Sequence, residues 1–369
     1  MDQDIFWACQ APASIADLPR SIVKTCRMPP FAPGIELNRD FYSTIVGPIL
    51  SGRAHAAGLL GWGSDVLGFD DERSTDHGWG LRLLVFVEAA EVENVRQLID
   101  QKLPTAFREW PVRYGWDAVP VQHHVNVSTL DGWLIDQFGF SVGAQLTTQQ
   151  WLLAPQQRLL GITAGAVYHD SNGELNRVRS QLARFPGDVR MWMIAAQWQR
   201  VAQEEAFVGR TIEAGDHLGS RLVCGRLARE LMRLWFLFHR TYWPYTKWFG
   251  SAFDRLPDAS SLGDALTTML SATDGNEAQK ALGAALEIAA RKQNDLALSE
   301  HLDPSARAFH SRPFQVLQAE RFAEACLRRV GDQHLRDLPL IGSIDQWIDS
   351  TDVLENPDRT SRAGAIYSW

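Results

Sequence analysis

The hydrophobic pattern of this 369-residue chain changes character near residue 145. Before that point, short apolar runs alternate with polar, glycine-rich connections; beyond it, apolar residues recur every three or four positions almost to the end. A period of two suits a pleated strand and a period near 3.6 suits a helix, so the two in succession restrict the fold class sharply. The expectation is an α+β protein: a mixed sheet with helices over residues 1–145, entered through a proline-rich irregular arm, followed by an all-helical domain over 146–369. The length suits two domains, since single cores stop growing in about this range.

Within the first part the pattern predicts a helix over 37–50 and strands over 57–60, 81–87 and 122–128, with a helix over 92–103 that Pro104 ends. His123 and His124 fall in the third strand and must face opposite sides. The later segment Tyr168-His169-Asp170-Ser171-Asn172-Gly173 reads as a turn, because Asn-Gly is a strong hairpin signal. In the second part helices are expected over 153–162, 175–183, 189–207, 218–240, 278–298 and 314–330, with Pro186, Pro244, Pro304 and Pro313 between them.

Charge narrows the partners. A formal net charge of -8 and a pI near 5.7 argue against a protein that coats a nucleic-acid backbone, and favour a small-molecule substrate. The longest apolar run, 81–90, is interrupted by Arg82 and Glu88 and is too short to span a bilayer, so no membrane association is expected. The opening residues show no basic stretch leading into an apolar one, and a cytoplasmic location is the expectation. Cys9, Cys26, Cys224 and Cys326 are too scattered for a zinc knuckle or a disulfide framework and are expected to be reduced and mostly buried. Oligomeric state is not legible in the sequence.

The chemistry concentrates in the segment 61–80, which joins the first two strands. Gly63-Ser64 lets backbone N–H groups approach a phosphate, because glycine has no Cβ in the way, and Ser64 adds a hydroxyl. Asp76 is expected to open the next strand and to present a carboxylate opposite that cradle; oxygen ligands of this kind suit magnesium. Trp62-Gly63-Ser64 followed by Asp76 resembles the fingerprint of the polymerase-β-type nucleotidyltransferase superfamily, in which an apolar-Gly-Gly/Ser step precedes an acidic-apolar-acidic triplet. The resemblance implies a magnesium-dependent nucleotidyl transfer from a nucleoside triphosphate. The chain departs from it at Gly78, where a second acid is expected, and near Asn126, where a third would fall; Asp70, Asp71 or His77, on the same loop, are the substitutes available.

A longer resemblance is carried by Gly63-Ser64-Asp65-Val66-Leu67-Gly68-Phe69-Asp70, Ser74-Thr75-Asp76-His77, Gly215-Asp216-His217-Leu218-Gly219-Ser220 and Tyr242-Trp243-Pro244-Tyr245-Thr246-Lys247-Trp248. These segments are similar to a bacterial family of nucleotidyltransferase-like proteins known by the domain-of-unknown-function number 4037, which implies the fold and leaves the chemistry open.

On the predicted helix 218–240, Arg226 and Glu230 are four apart, as are Arg229 and Arg233. Small-molecule nucleotidyltransferases, which this layout resembles, often supply a carboxylate base from a helical domain; Glu230 is the candidate and Asp216 the second choice. Arg82, Arg226, Arg233 and Lys247 are candidates for gripping an anionic substrate, with Asp65 and Tyr245 as further contacts. The competing reading of the helix charges is an internal salt-bridge network. Three functions follow: magnesium-dependent nucleotidyl transfer to a small hydroxylated or amine acceptor; a repurposed metal-independent lyase, hydrolase or cyclase of specialised metabolism using Asp76, His77 and Glu230; and a non-catalytic nucleotide- or protein-binding module.

Overall fold

Strand β1 (Ala56–Leu59) is buried at all four positions because it lies inside a five-stranded sheet, antiparallel to both its neighbours. On one side it pairs with β2 (Arg82–Phe86); β2 then runs parallel to β6 (Val119–Ser128), with Arg82 opposite His124 and Leu84 opposite Asn126. The computed structural model describes residues 29–143 and 145–367, and its sheet is mixed, with β5 (Arg113–Trp116) outside β6. A short pair, β3 (Ala106–Phe107) and β4 (Trp110–Pro111), precedes β5.

Helix Gly34–Phe41 continues through a π turn, Tyr42–Val46, into Gly47–Ile49, which accounts for the expected helix over 37–50. Its Leu37 and Phe41 join Leu83 and Val85 of β2, Val125 and Val127 of β6, and Ile99 of helix Val92–Lys102 in one apolar core. That burial is the main drive for the layer.

The fifth strand is a correction. Residues 168–173 were expected to form a turn, yet β7 (Ala166–Asp170) pairs along the free edge of β1, with Leu59 opposite Ala166 and Ala56 opposite Asp170. Gly58 permits the approach, since a Cβ there would lie 2.6 Å from the Ala166 carbonyl oxygen. The Asn-Gly signal marks the reversal that follows, where Gly173 has φ +71° before helix Glu174–Leu182.

The described residues form two compact units rather than the two halves of a single cut near 145. The first runs up to Val142 and takes in Gly161–Leu182; the second holds Gly143–Leu160 and the chain from Ala183 onward. The second is built on helices Gly187–Glu204, Phe207–Glu213, His217–Phe238, Thr246–Asp254, Ala259–Ser271, Gly275–Asp295 and Glu320–Leu327. Trp192, Trp198, Trp235, Phe236 and Phe322 are fully buried within it. It is not wholly helical: β8 (Arg307–Ala308) and β9 (Gln315–Val316) form a small hairpin. The helix expected over 314–330 starts only at Glu320, because the buried Glu205 carboxylate accepts the backbone N–H groups of Leu317 and Ala319 and keeps that stretch out of helical pairing. Cys224 and Cys326 are free and buried, while Cys9 and Cys26 lie outside the described residues. No helix among the described residues is long and apolar enough to cross a membrane.

Candidate functional site

The loop between β1 and β2 is shaped by glycines. Gly61 has φ +95° and donates its N–H to the Gly161 carbonyl at 2.8 Å, and Gly63 has φ +122°, a conformation closed to most L-residues. The chain then coils, with Phe69 N–H donating to the Ser64 carbonyl at 2.9 Å and Gly68 N–H to that of Asp65 at 3.2 Å. The backbone amides of Gly63 and Ser64 have no partner among the described residues.

What lies against Gly63 is an ion pair. Arg82, the first residue of β2, donates from Nε to Asp65 Oδ2 at 3.1 Å and from Nη2 to Asp65 Oδ1, and Nη2 also donates to the Trp62 carbonyl at 2.6 Å. Asp65 is 1% exposed and Arg82 8%. A Cβ at position 63 would stand 2.3 Å from Arg82 Nη2, so the glycine is required for the guanidinium to lie there. Burial works against the Arg82 charge, but Asp65 outweighs it and holds the guanidinium above its ordinary value. The backbone of Arg82 is fixed by Asn38, which accepts its N–H at 2.8 Å and itself donates to Gly80 and Gly34.

Aromatic rings enclose the pair. The Trp62 ring is 60% exposed and sits 4.7 Å from the Arg82 guanidinium carbon, with Trp116 at 6.2 Å from it. Tyr114 is buried, and its hydroxyl makes no hydrogen bond among the described residues. It stands where a Cβ on Gly80 would come within 2.9 Å of Oη. His124, packed on Tyr114 at 4.4 Å, has its basicity lowered by burial.

Asp76 does not open β2, as the sequence led us to expect. It ends a 3₁₀ turn, Glu72–Asp76, which Asp71 caps by accepting the N–H groups of Arg73 and Ser74, and β2 begins only at Arg82. Its carboxylate accepts from or pairs with His77 Nδ1 at 2.7 Å, both side chains being mostly exposed. Asp70 is engaged elsewhere: one oxygen accepts both the Gly34 N–H at 2.7 Å and the Trp79 Nε1–H at 2.9 Å. Gly78 has φ +63° beneath the Trp62 ring, and a Cβ there would come within 2.7 Å of that ring. Asn126 stands on β6 as a neutral, exposed side chain.

These donors do not fit a resident magnesium ion. Such a site needs several oxygen ligands of negative charge. Here Asp65 is already neutralised by Arg82, Asp70 holds backbone and indole N–H groups, and position 78 leaves no room for a carboxylate. Among the described residues no group of three or more His, Cys, Asp or Glu side chains is placed to hold a metal ion.

In the helical unit Glu230 is 3% exposed. Its carboxylate accepts from Gln197 Nε2 at 2.5 Å, Arg200 Nε at 3.1 Å and Arg233 Nη1 at 3.4 Å. Arg233 also donates to the Gln346 carbonyl. Burial raises the Glu230 pKa, yet Arg233 and Arg200 outweigh it and the carboxyl stays below its ordinary range. Arg226 is exposed and pairs with Glu204 at 2.7 Å, away from Glu230. Asp216 caps helix His217–Phe238 by accepting the Gly219 N–H. Tyr245 is 37% exposed at the start of helix Thr246–Asp254, and the Lys247 ammonium lies 4.9 Å from the Trp248 ring. The structure thus joins Glu230 to Arg233 and leaves Arg226, Tyr245 and Lys247 outside that network. Arg200, Gln197 and Gln346 were missed by the sequence reading because they come from other parts of the chain; in the first unit Trp62 and Tyr114 were missed as neighbours of Arg82.

A search of curated proteins finds no match. Among solved structures, a nucleotidyltransferase-like protein from Exiguobacterium sibiricum 255-15 is similar at 16% identity over 75% of this chain and 82% of that one, with a TM-score of 0.31. Residues 151–249 match the model of the family described as Domain of unknown function (DUF4037).

Proposed function

We propose that this protein binds a nucleoside triphosphate at the 61–80 loop. The observation that carries the reading is the pair of unused amides on Gly63 and Ser64, held open by the positive φ of Gly63 and placed next to an exposed aromatic ring on Trp62. Consecutive N–H groups at such a turn favour phosphate oxygens, and an exposed indole offers a stacking face for a base. The finer proposal, which the superfamily resemblance implies, is transfer of the nucleotidyl group to a small hydroxylated or amine acceptor, any magnesium arriving with the triphosphate rather than held by this loop. Asp76 is the carboxylate it would rest on.

Calorimetry with ATP and purified protein tests the binding step. Saturable binding that weakens at least about tenfold in Trp62→Ala supports it, that being the worth of one base-stacking contact; no heat in the parent protein removes it. For transfer, Asp76→Asn should abolish turnover at unchanged thermal stability, since Asp76 is exposed and, among the described residues, pairs with His77 alone. Full activity in Asp76→Asn would exclude the transfer reading.

One observation favours a second reading. Gly78 is compatible with its backbone only because it lacks a side chain, so the loop is organised without the second acid. A metal-independent reaction, with Asp76 and His77 as an acid–base couple, uses the groups that are there. Turnover that persists in EDTA distinguishes it.

A further inference from the structure

Three of the five guanidinium N–H groups of Arg82 are spoken for. Nε donates to Asp65, and Nη2 donates to Asp65 and to the Trp62 carbonyl; Nη1 makes no hydrogen bond among the described residues. The guanidinium is held by these bonds, while Nη1 is not among the atoms sealed from solvent without a partner and so is reachable by a ligand. A second unpartnered group lies beside it, the buried hydroxyl of Tyr114, which is close enough to Arg82 and Asp65 to feel both charges. The free amides of Gly63 and Ser64 are on the same loop. All of these groups are donors, and a phosphate oxygen is the acceptor that suits them together.

The same geometry explains the missing acids. Position 63 must be glycine because the guanidinium occupies the space over it, and position 78 is glycine beneath Trp62, the ring that covers the guanidinium. Carboxylates gathered there would serve to hold a cation, but a cation is already present and covalently attached. Asp65 orients it through two contacts while leaving Nη1 unused.

We propose that the Arg82 guanidinium, positioned by Asp65, takes the place of a divalent metal ion as the counter-charge to the phosphates of a bound nucleotide, with Tyr114 Oη as an added donor. The proposal rests on the reading that the 61–80 loop binds nucleotide. It makes metal-free nucleotide binding a property of this chain.

The test is ATP titration by calorimetry of the full chain in EDTA and again in excess magnesium. Equal affinity in the two conditions is the expected result. Arg82→Gln with Asp65→Asn removes both charges together, so that no buried charge is left alone, and circular dichroism establishes that this double variant folds. It should bind ATP about tenfold to a hundredfold more weakly than the parent in EDTA, the worth of hydrogen bonds to a charged group. Tyr114→Phe, which removes one oxygen from a site where it has no partner, should keep the fold and lose a smaller part of the affinity. Binding by the parent only when magnesium is present would overturn the role of Arg82 and leave the nucleotide reading intact. Undiminished binding by a folded double variant would do the same. No ATP binding by the parent in either condition would overturn the nucleotide reading itself.

Discussion

Two buried carboxylate–arginine centres stand in this molecule, one in each unit, and they are built differently. Around Glu230 three side chains converge on the carboxylate, Gln197, Arg200 and Arg233, and the Gln346 carbonyl accepts from Arg233, while Arg233 Nε is buried without a partner among the described residues. Around Asp65 the pairing is with one arginine, and that arginine keeps a nitrogen unused beneath an exposed tryptophan, next to free backbone amides. The first arrangement satisfies a charge and ties helices together. The second holds a charge in a fixed orientation with capacity to spare. The difference is one of access: the unpaired Arg233 Nε is sealed from solvent, whereas the unpaired Arg82 Nη1 is not.

Three changes would break or sharpen that contrast. The largest effect is expected from Glu230→Ala, which leaves Arg200 and Arg233 without their carboxylate; removing one partner of a buried pair costs about 3 to 5 kcal/mol. Chemical denaturation measures it. A Glu230→Ala protein as stable as the parent but inactive would mean that Glu230 is a base after all.

Next in size is the response to pH in the helical unit. Burial pushes Glu205 up to about 7 and Asp345 up to about 6. Both folded-state values lie above the unfolded ones, so both groups favour the folded state in their protonated form. Their contribution is fully present below about pH 4 and is lost as pH rises through 6 and 7. Stability should therefore increase on going from pH 8 to pH 5, by about 2 to 3 kcal/mol if Glu205 dominates. Glu205→Gln should flatten the profile, and a parent whose melting temperature falls over that interval would contradict the assignment.

The smallest effect belongs to Gly78→Asp, which introduces an acid where the fingerprint that Trp62-Gly63-Ser64 and Asp76 resemble would have one. The positive φ and the Trp62 ring should make it cost about 1 to 2 kcal/mol, and magnesium titration should show no new binding. Tight magnesium binding by that variant would show that the Asp65–Arg82 pair can yield to a metal.

Much of the first unit was legible. Strands β1, β2 and β6 and helix Val92–Lys102 follow from local periodicity, and the loop at 61–80 follows from its glycine content. Strand β7 was not legible, because its partner β1 lies about a hundred residues earlier and its own run ends in a strong turn signal. The same limit applies to the site. Gly63, Ser64 and Asp76 announce themselves by type and spacing, whereas the Asp65–Arg82 bond joins residues 17 positions apart, and nothing in their spacing says that they meet.

By itself, then, the amino-acid order determined an α+β chain with a sheet-forming part and a helical part, a glycine-rich loop between the first two strands, and a likeness to the DUF4037 family over residues 151–249. Tertiary structure alone decided that Glu230 is enclosed by residues from other segments and that Arg82 fills the space over Gly63. Periodicity and turn chemistry act within a few residues and so can be read along the chain. Whether a charge is satisfied depends on groups brought together from distant positions, and that is settled only when the core packs.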